Sequence, residues 1–236
     1  MKLLKLIASS LILAVSLLVI SNLSLDIHEQ LLYSVKGNSV VKLTKSFAGR
    51  SGGTGSQIVA PSGKEFILTN AHVCGDRKEL IAHTQLTKPK KVKVIRVYKK
   101  HDLCLVEAIK GLPALRIANS IIPREKVYVI GHPALRPLTL ESGRFVSDKT
   151  ISMRVPCSTK VKPTILIKFR NYRLAMCVKS FKSQLVNAII YPGNSGSPLL
   201  DKFGNVVGVI FAGRLDQPNA AYTVPLKSVK AFLKNH

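Results

Sequence analysis

The residue best placed to act as a nucleophile in this chain is the serine of Pro192-Gly193-Asn194-Ser195-Gly196-Ser197-Pro198. A hydroxyl attacks poorly until a base takes its proton, and the tetrahedral product needs N–H donors around its oxyanion. Glycines on both sides permit a turn tight enough for the N–H groups of Gly193 and Ser195 to converge on one point. His72 is the candidate base, at the end of the apolar run in Phe66-Ile67-Leu68-Thr69-Asn70-Ala71-His72. Asp102, in Lys100-His101-Asp102-Leu103-Cys104, precedes another apolar run and is the candidate to orient the imidazole and hold its tautomer. Each signal alone has an ordinary reading: a Gly/Ser turn, an exposed histidine, a capping aspartate. Together, in the order His, Asp, Ser and each at a strand boundary, they point to acyl transfer.

Three such residues need a rigid frame, and the sequence supplies one made of short strands. Candidate strands are 57–60, 65–69, 92–98, 103–108, 126–130, 165–169, 174–178, 206–211 and 221–224, several of them alternating apolar and polar residues. A Pro-Ser-Gly turn at 61–63 separates the first two. No long 3.6-residue period occurs until 226–234, which reads as a short closing helix with Val229, Phe232 and Leu233 inward. The pattern predicts an all-β fold of barrel or sandwich type, with 114–124, bracketed by Pro113 and Pro123, as the connector between two lobes.

The chain has 236 residues, 46% of them hydrophobic, enough for a core and too many for a disordered basic tail. Thirty-six Lys and Arg against 12 Asp and Glu give a formal charge of +24, which predicts attraction to something anionic: nucleic acid, acidic lipid or glycan, or acidic protein. The excess is concentrated. Residues 88–100 hold seven basic residues and 149–200 hold nine, with no acid in either stretch. A nucleic-acid-binding β protein is the competing reading, but aromatics are 6%, tryptophan is absent, and no nucleic-acid-binding signature occurs. A zinc site from His72, Cys74, His101 and Cys104 is a further alternative, though it would leave the serine loop unexplained. No metal or cofactor is expected.

At the amino terminus, Lys2 and Lys5 precede an apolar stretch at 6–20 that reads as a secretory signal cut after Ser21, or as a retained membrane anchor; a buried core helix suits it less. Export, periplasmic or secreted, makes disulfides admissible among Cys74, Cys104, Cys157 and Cys177. Cys157–Cys177 is the favoured pair, because both flanks read as neighbouring strands. Cys74 and Cys104 read as buried free thiols.

Several stretches together resemble the trypsin-like serine proteases, and within them the HtrA/Deg-like branch. Gly53-Thr54-Gly55-Ser56 and Ile67-Leu68-Thr69-Asn70-Ala71-His72-Val73 look like the first-barrel stretch, and Asp102-Leu103-Cys104-Leu105 like the acid motif. Val129-Ile130-Gly131-His132-Pro133 and Ser142-Gly143 look like the opening of the second barrel, and Ile190 to Gly196 like the nucleophile loop, with Val206-Val207-Gly208-Val209 as the strand after it. The resemblance implies two six-stranded antiparallel β-barrels, about 37–113 and 124–225, after a signal or anchor at 1–21 and a linker at 22–36. It implies Ser195 as nucleophile, His72 as general base and then acid, Asp102 as orienting carboxylate, and Gly193 with Ser195 as oxyanion hole. Phe211-Ala212-Gly213 would pair with the substrate backbone, and Ile190 with Phe211 would line an apolar primary pocket suited to small or medium aliphatic residues. Asn187, Tyr191 and Ser197 depart from the branch's usual Asp, Asn and Gly. No PDZ domain is expected after the barrels, and no activation by proteolysis. The expanded part of the second barrel is expected at 151–183.

Overall fold

A computed structural model describes residues 24, 26–156, 165–169, 172–214, 217–234 and 236, the side chains at 153–156, 165–169, 172–176, 178 and 179 excepted. The first six strands are β1 (Val40–Thr44), β2 (Gly52–Val59), β3 (Glu65–Thr69), β4 (Glu79–His83), β5 (Lys90–Tyr98) and β6 (Leu103–Glu107). They close into an antiparallel barrel in the order β1-β2-β3-β6-β5-β4. Inward residues such as Val41, Leu43, Ile67, Leu80 and Val106 fill it. A one-turn helix, α2 (Ala71–Cys74), follows β3 and stops at Gly75, whose φ of 58° suits a residue without a side chain.

The second barrel is built from β7 (Lys126–Gly131), β8 (Thr139–Pro156), β10 (Tyr172–Asn187), β11 (Pro198–Leu200), β12 (Val206–Gly213) and β13 (Ala220–Pro225). It runs β13-β12-β11-β7-β8-β10 and closes by pairing of β10 with β13; β9 (Ile165–Phe169) adds to the outer edge of β10. The two-barrel expectation is met. The long β8–β10 ladder runs from Asn187↔Arg144 to Met176↔Pro156 with a bulge at Leu185/Val186, and its outer part overlaps the stretch 151–183.

The connector between the barrels is stitched to both. Leu115 N donates to Gln57 O at 2.8 Å on the first barrel, and Val206 N on the second donates to Arg116 O at 2.8 Å. Between the barrels a shared core of Ile58, Leu68, Leu105, Tyr128, Ile130 and Val209 is shut off from water. The closing helix α3 (Leu226–Leu233) buries Leu226, Val229, Phe232 and Leu233, and Phe232 stacks on Tyr98 of the first barrel with ring centroids 5.6 Å apart.

Two expectations need correction. Residues 26–36, read as a linker, form a helix, α1, that buries Leu32 and pairs Glu29 with Lys126 at 2.7 Å. Tyr33 packs beside Leu32 and donates from its hydroxyl to Leu138 O at 3.1 Å, so the helix is held by contacts to distant segments that the local sequence does not show. Cys74 and Cys104, read as free thiols, are joined in a disulfide. The reason is register: Thr69 faces Cys104 across β3 and β6, which brings the turn after β3 back over the start of β6. Cys177 is also disulfide-bonded. Cys157 of the favoured Cys157–Cys177 pair, like the apolar stretch at 6–20, lies outside the described residues.

Candidate active site

The β3–β6 register that makes the disulfide also makes the first half of the site. His72 begins three residues past Thr69, Asp102 lies two before Cys104, and Thr69 and Cys104 are Cα partners. The His72 ring Nδ1 and Asp102 Oδ2 are 2.7 Å apart, and the His72 backbone N–H donates to Asp102 Oδ1 at 3.0 Å. The carboxylate thus holds the imidazole by both ring and backbone. Asp102 itself has a φ of 53°, a left-handed conformation that L-residues adopt at a cost. Asn70, fully buried, secures that backbone by donating from Nδ2 to Asp102 O at 3.0 Å. The Asp102 side chain is 13% exposed and that of His72 48%, so the carboxylate is set inside and the imidazole reaches toward solvent.

The serine loop comes from the second barrel, between β10 and β11, but is clamped to the first. Thr54 on β2 donates from its backbone N–H to Ser195 O at 2.8 Å and from Oγ1 to Gly193 O at 2.8 Å. Its Oγ1 also accepts from His132 N at 3.0 Å, and its carbonyl accepts from Thr69 Oγ1 at 2.6 Å. A Cβ placed on Gly53 would lie 2.6 Å from Ser195 O and 2.6 Å from Val73 Cγ2, so the serine loop and the histidine turn meet across that glycine. At Gly196 (φ 88°) a side chain would strike Thr54 O, and at Gly193 (φ 99°) it would strike His132 O. Both glycines are therefore required by conformation and by space. The amides of Gly193 and Ser195 have no acceptor among the described residues. The Ser195 hydroxyl, half-buried, makes no hydrogen bond to His72 or to any other described residue.

Residues 53–209 match the trypsin-like peptidase domain family. The chain belongs to that family. A "Serine protease HtrA-like" from Staphylococcus aureus is 27% identical over 180 residues, covering 72% of this chain and 21% of the relative, so the chain spans about a fifth of that protein's length. Among solved structures, the active form of a protease from M. tuberculosis superposes with a TM-score of 0.65 at 22% identity, over 86% of this chain and 82% of that one. A serine endoprotease from Yersinia pestis gives 0.64 at 18%, over 86% and 64%. At such identities these two speak for the fold alone.

Of the residues expected to bind substrate in this trypsin-like peptidase domain, not all meet. Ile190 sits against Gly213: a Cβ there would be 2.9 Å from Ile190 Cγ1. Ala212 and Gly213 of β12 pair with Tyr222 and Ala221 of β13, with a bulge at Phe211, while β11 ends at Pro198↔Val209, so that among the described residues no strand covers the other side of 211–213. Phe211 turns elsewhere. Its ring, 6% exposed, packs 5.9 Å from Phe181 and lines a cavity of about 220 Å³ with Asp102 and Lys182. The zinc alternative fails on its thiols, since Cys74 and Cys104 are bonded to each other.

Thr54, Asn70 and His132 were not foreseen as positioning residues. Thr54 stood out only as the residue between two glycines, and Asn70 only as a neighbour of the histidine. His132 is 8% exposed beneath the serine loop. Burial holds its ring below the ordinary histidine range, the Arg136 carbonyl 2.9 Å from Nδ1 opposes this, and the positive charge of Lys42 adds to the depression.

Proposed function

We propose that the chain is an exported serine endopeptidase. Ser195 Oγ attacks the scissile carbonyl, His72 Nε2 takes the hydroxyl proton, and the resulting imidazolium is stabilised by Asp102. The oxyanion is received by the free amides of Gly193 and Ser195; collapse of the tetrahedral species with proton return from His72 releases the amine and leaves an acyl-enzyme. Water, deprotonated by the same histidine, completes hydrolysis. The observation that carries this reading is the two-point grip of Asp102 on His72, at 2.7 and 3.0 Å, beside a serine loop pinned by Thr54 to the same barrel.

The open edge at 211–213 supports substrate binding as an added strand, and Ile190 against Gly213 supports a preference for small or medium aliphatic residues before the cut. The apolar stretch at 6–20 supports export, cleaved or kept as an anchor that would bring the domain to a membrane. Among the described residues no helix is long and apolar enough to cross one. The charge of +24 supports an anionic partner, whether surface, nucleic acid or acidic protein, as an adjunct to hydrolysis.

Labelling with a fluorophosphonate probe tests the mechanism. Wild type is expected to label, Ser195→Ala not at all, and Asp102→Asn to hydrolyse about four orders of magnitude more slowly. Equal labelling of wild type and Ser195→Ala would reject the mechanism. In a peptide-library profile, dominance of Lys or Arg before the cut would reject the aliphatic preference.

A further inference from the structure

Three cavities run from the site around to the closing helix. The first, of about 220 Å³, includes Asp102, Phe211 and Lys182 in its lining. Lys182 also lines the second, of about 690 Å³, together with Lys149, Lys227 and Lys230. The third, of about 780 Å³, shares Asn119 and Lys230 with the second and adds Arg116 and Lys234. Lys230 forms the wall between them, its Nζ donating to Asn119 O at 2.8 Å. Adjacent lining residues thus make a continuous path from the catalytic aspartate to the far side of α3.

The chemistry of that path is one-sided. Six cationic side chains border the two larger cavities, and Asp148 is the one acid among their lining residues. Lys149, Lys182 and Lys227 are exposed and have no ion-pair partner among the described residues. The first turn of α3 carries no acid and Pro225 gives it no side-chain cap, so its free amides add to the positive potential. Between the lysines the floor is aliphatic: Ile121, Pro225 and Leu226 in one cavity, Val59, Ile117 and Leu233 in the other. No aromatic side chain lines either, which leaves nothing for a nucleobase to stack on. The recesses also suit an extended chain that can enter them better than a flat lipid surface.

We propose that this groove is a docking surface for an acidic, aliphatic-containing segment of the polypeptide substrate. Carboxylates of the segment meet Lys149, Lys182 and Lys227, and its aliphatic side chains meet Ile121 and Pro225. The proposal rests on the peptidase reading for the word substrate, and on the groove alone for binding.

The test uses the full chain carrying Ser195→Ala, so that binding is read without turnover. The probe is a fluorescein-labelled peptide of alternating Glu and Leu, followed by anisotropy against its Gln/Leu counterpart. The acidic peptide is expected to bind, to weaken as salt is raised, and to lose about tenfold in affinity in Lys149→Glu/Lys227→Glu. Lys149→Arg/Lys227→Arg should bind like the parent, which separates lost charge from lost fold. Equal binding of the two peptides, or of the parent and the Glu variant, overturns the proposal. So does salt-dependent binding of heparin, an oligonucleotide or phosphatidylglycerol vesicles at these lysines with no binding of the acidic peptide. With Ser195 restored, peptide cleavage without groove binding overturns this proposal and spares the peptidase reading. Groove binding in a chain that cleaves no peptide supports the docking surface and rejects the peptidase reading.

Discussion

His132 carries a pH dependence of stability that belongs to one ring. Its pKa lies below the ordinary value of about 6.5 because burial penalises the charged form more than the Arg136 carbonyl favours it. The unfolded chain therefore binds a proton there more readily than the folded one. The ring's contribution is whole above about pH 6.5 and is lost as pH falls from there through the depressed folded value. His83 lies nearby in the same sense, its pKa lowered by burial and by Lys42. Thermal melts between about pH 7.5 and pH 5 should show a smaller fall in Tm for His132→Gln than for wild type. Parallel falls would show that this histidine does not carry the slope. Because His132 O lies where a side chain on Gly193 would go, charging the ring should also disturb the serine loop.

At the scale of elements, β3 and β6 do two things with one register. The ladder Thr69↔Cys104 sets His72 on Asp102, and the Cys74–Cys104 bond locks the turn after β3 to the strand that begins beside Asp102. The bond spans 30 residues, for which a chain-entropy estimate gives about 3 to 4 kcal/mol of stabilisation. Cys74→Ala/Cys104→Ala should lower Tm by roughly 10 °C, on the usual scaling for a domain of this size. Its kcat should fall as well, since the one-turn helix bearing His72 loses its covalent tie. Calorimetry and a peptide assay on the same preparation check both; an unchanged Tm would mean that barrel packing alone holds the turn.

For the whole molecule, charge is the feature that packing leaves unbalanced. The described residues hold four ion pairs, one of them His72–Asp102, against a formal charge of +24. Like charges on a compact body repel, and salt screens them. Raising NaCl from about 0.01 M, where the Debye length is about 30 Å, to about 1 M, where it is about 3 Å, should raise Tm. A flat or falling Tm would indicate that the lysines are spaced widely enough not to interact. The two barrels meet through the connector and through Phe232 of α3 stacked on Tyr98, so salt should move a single cooperative transition.

Much of this was determined by the sequence alone, because it is local. Strand periodicity marked β3, β6, β7, β9 and the core of β12, and the closing helix was marked by its inward apolar residues. Glycines flanking Ser195 and the run into His72 marked the candidate site, since both reflect backbone needs of a few neighbouring residues. Strands β1, β4, β8 and β11 escaped: β1 and β4 are buried at most positions and show no alternation, β11 has three residues, and β8 runs through Gly143 and the polar stretch 147–150. What only the tertiary structure decided is what depends on register and approach between distant segments. The Cys74–Cys104 bond, the four contacts of Thr54, the turn of Phe211 toward Asp102, and α1 with Leu32 in the core are all of this kind. A cysteine, a threonine or a phenylalanine reads the same in sequence whichever neighbour it meets. Barrel closure chooses that neighbour, and with it whether the lysines on β8, β10 and α3 lie scattered or border one groove.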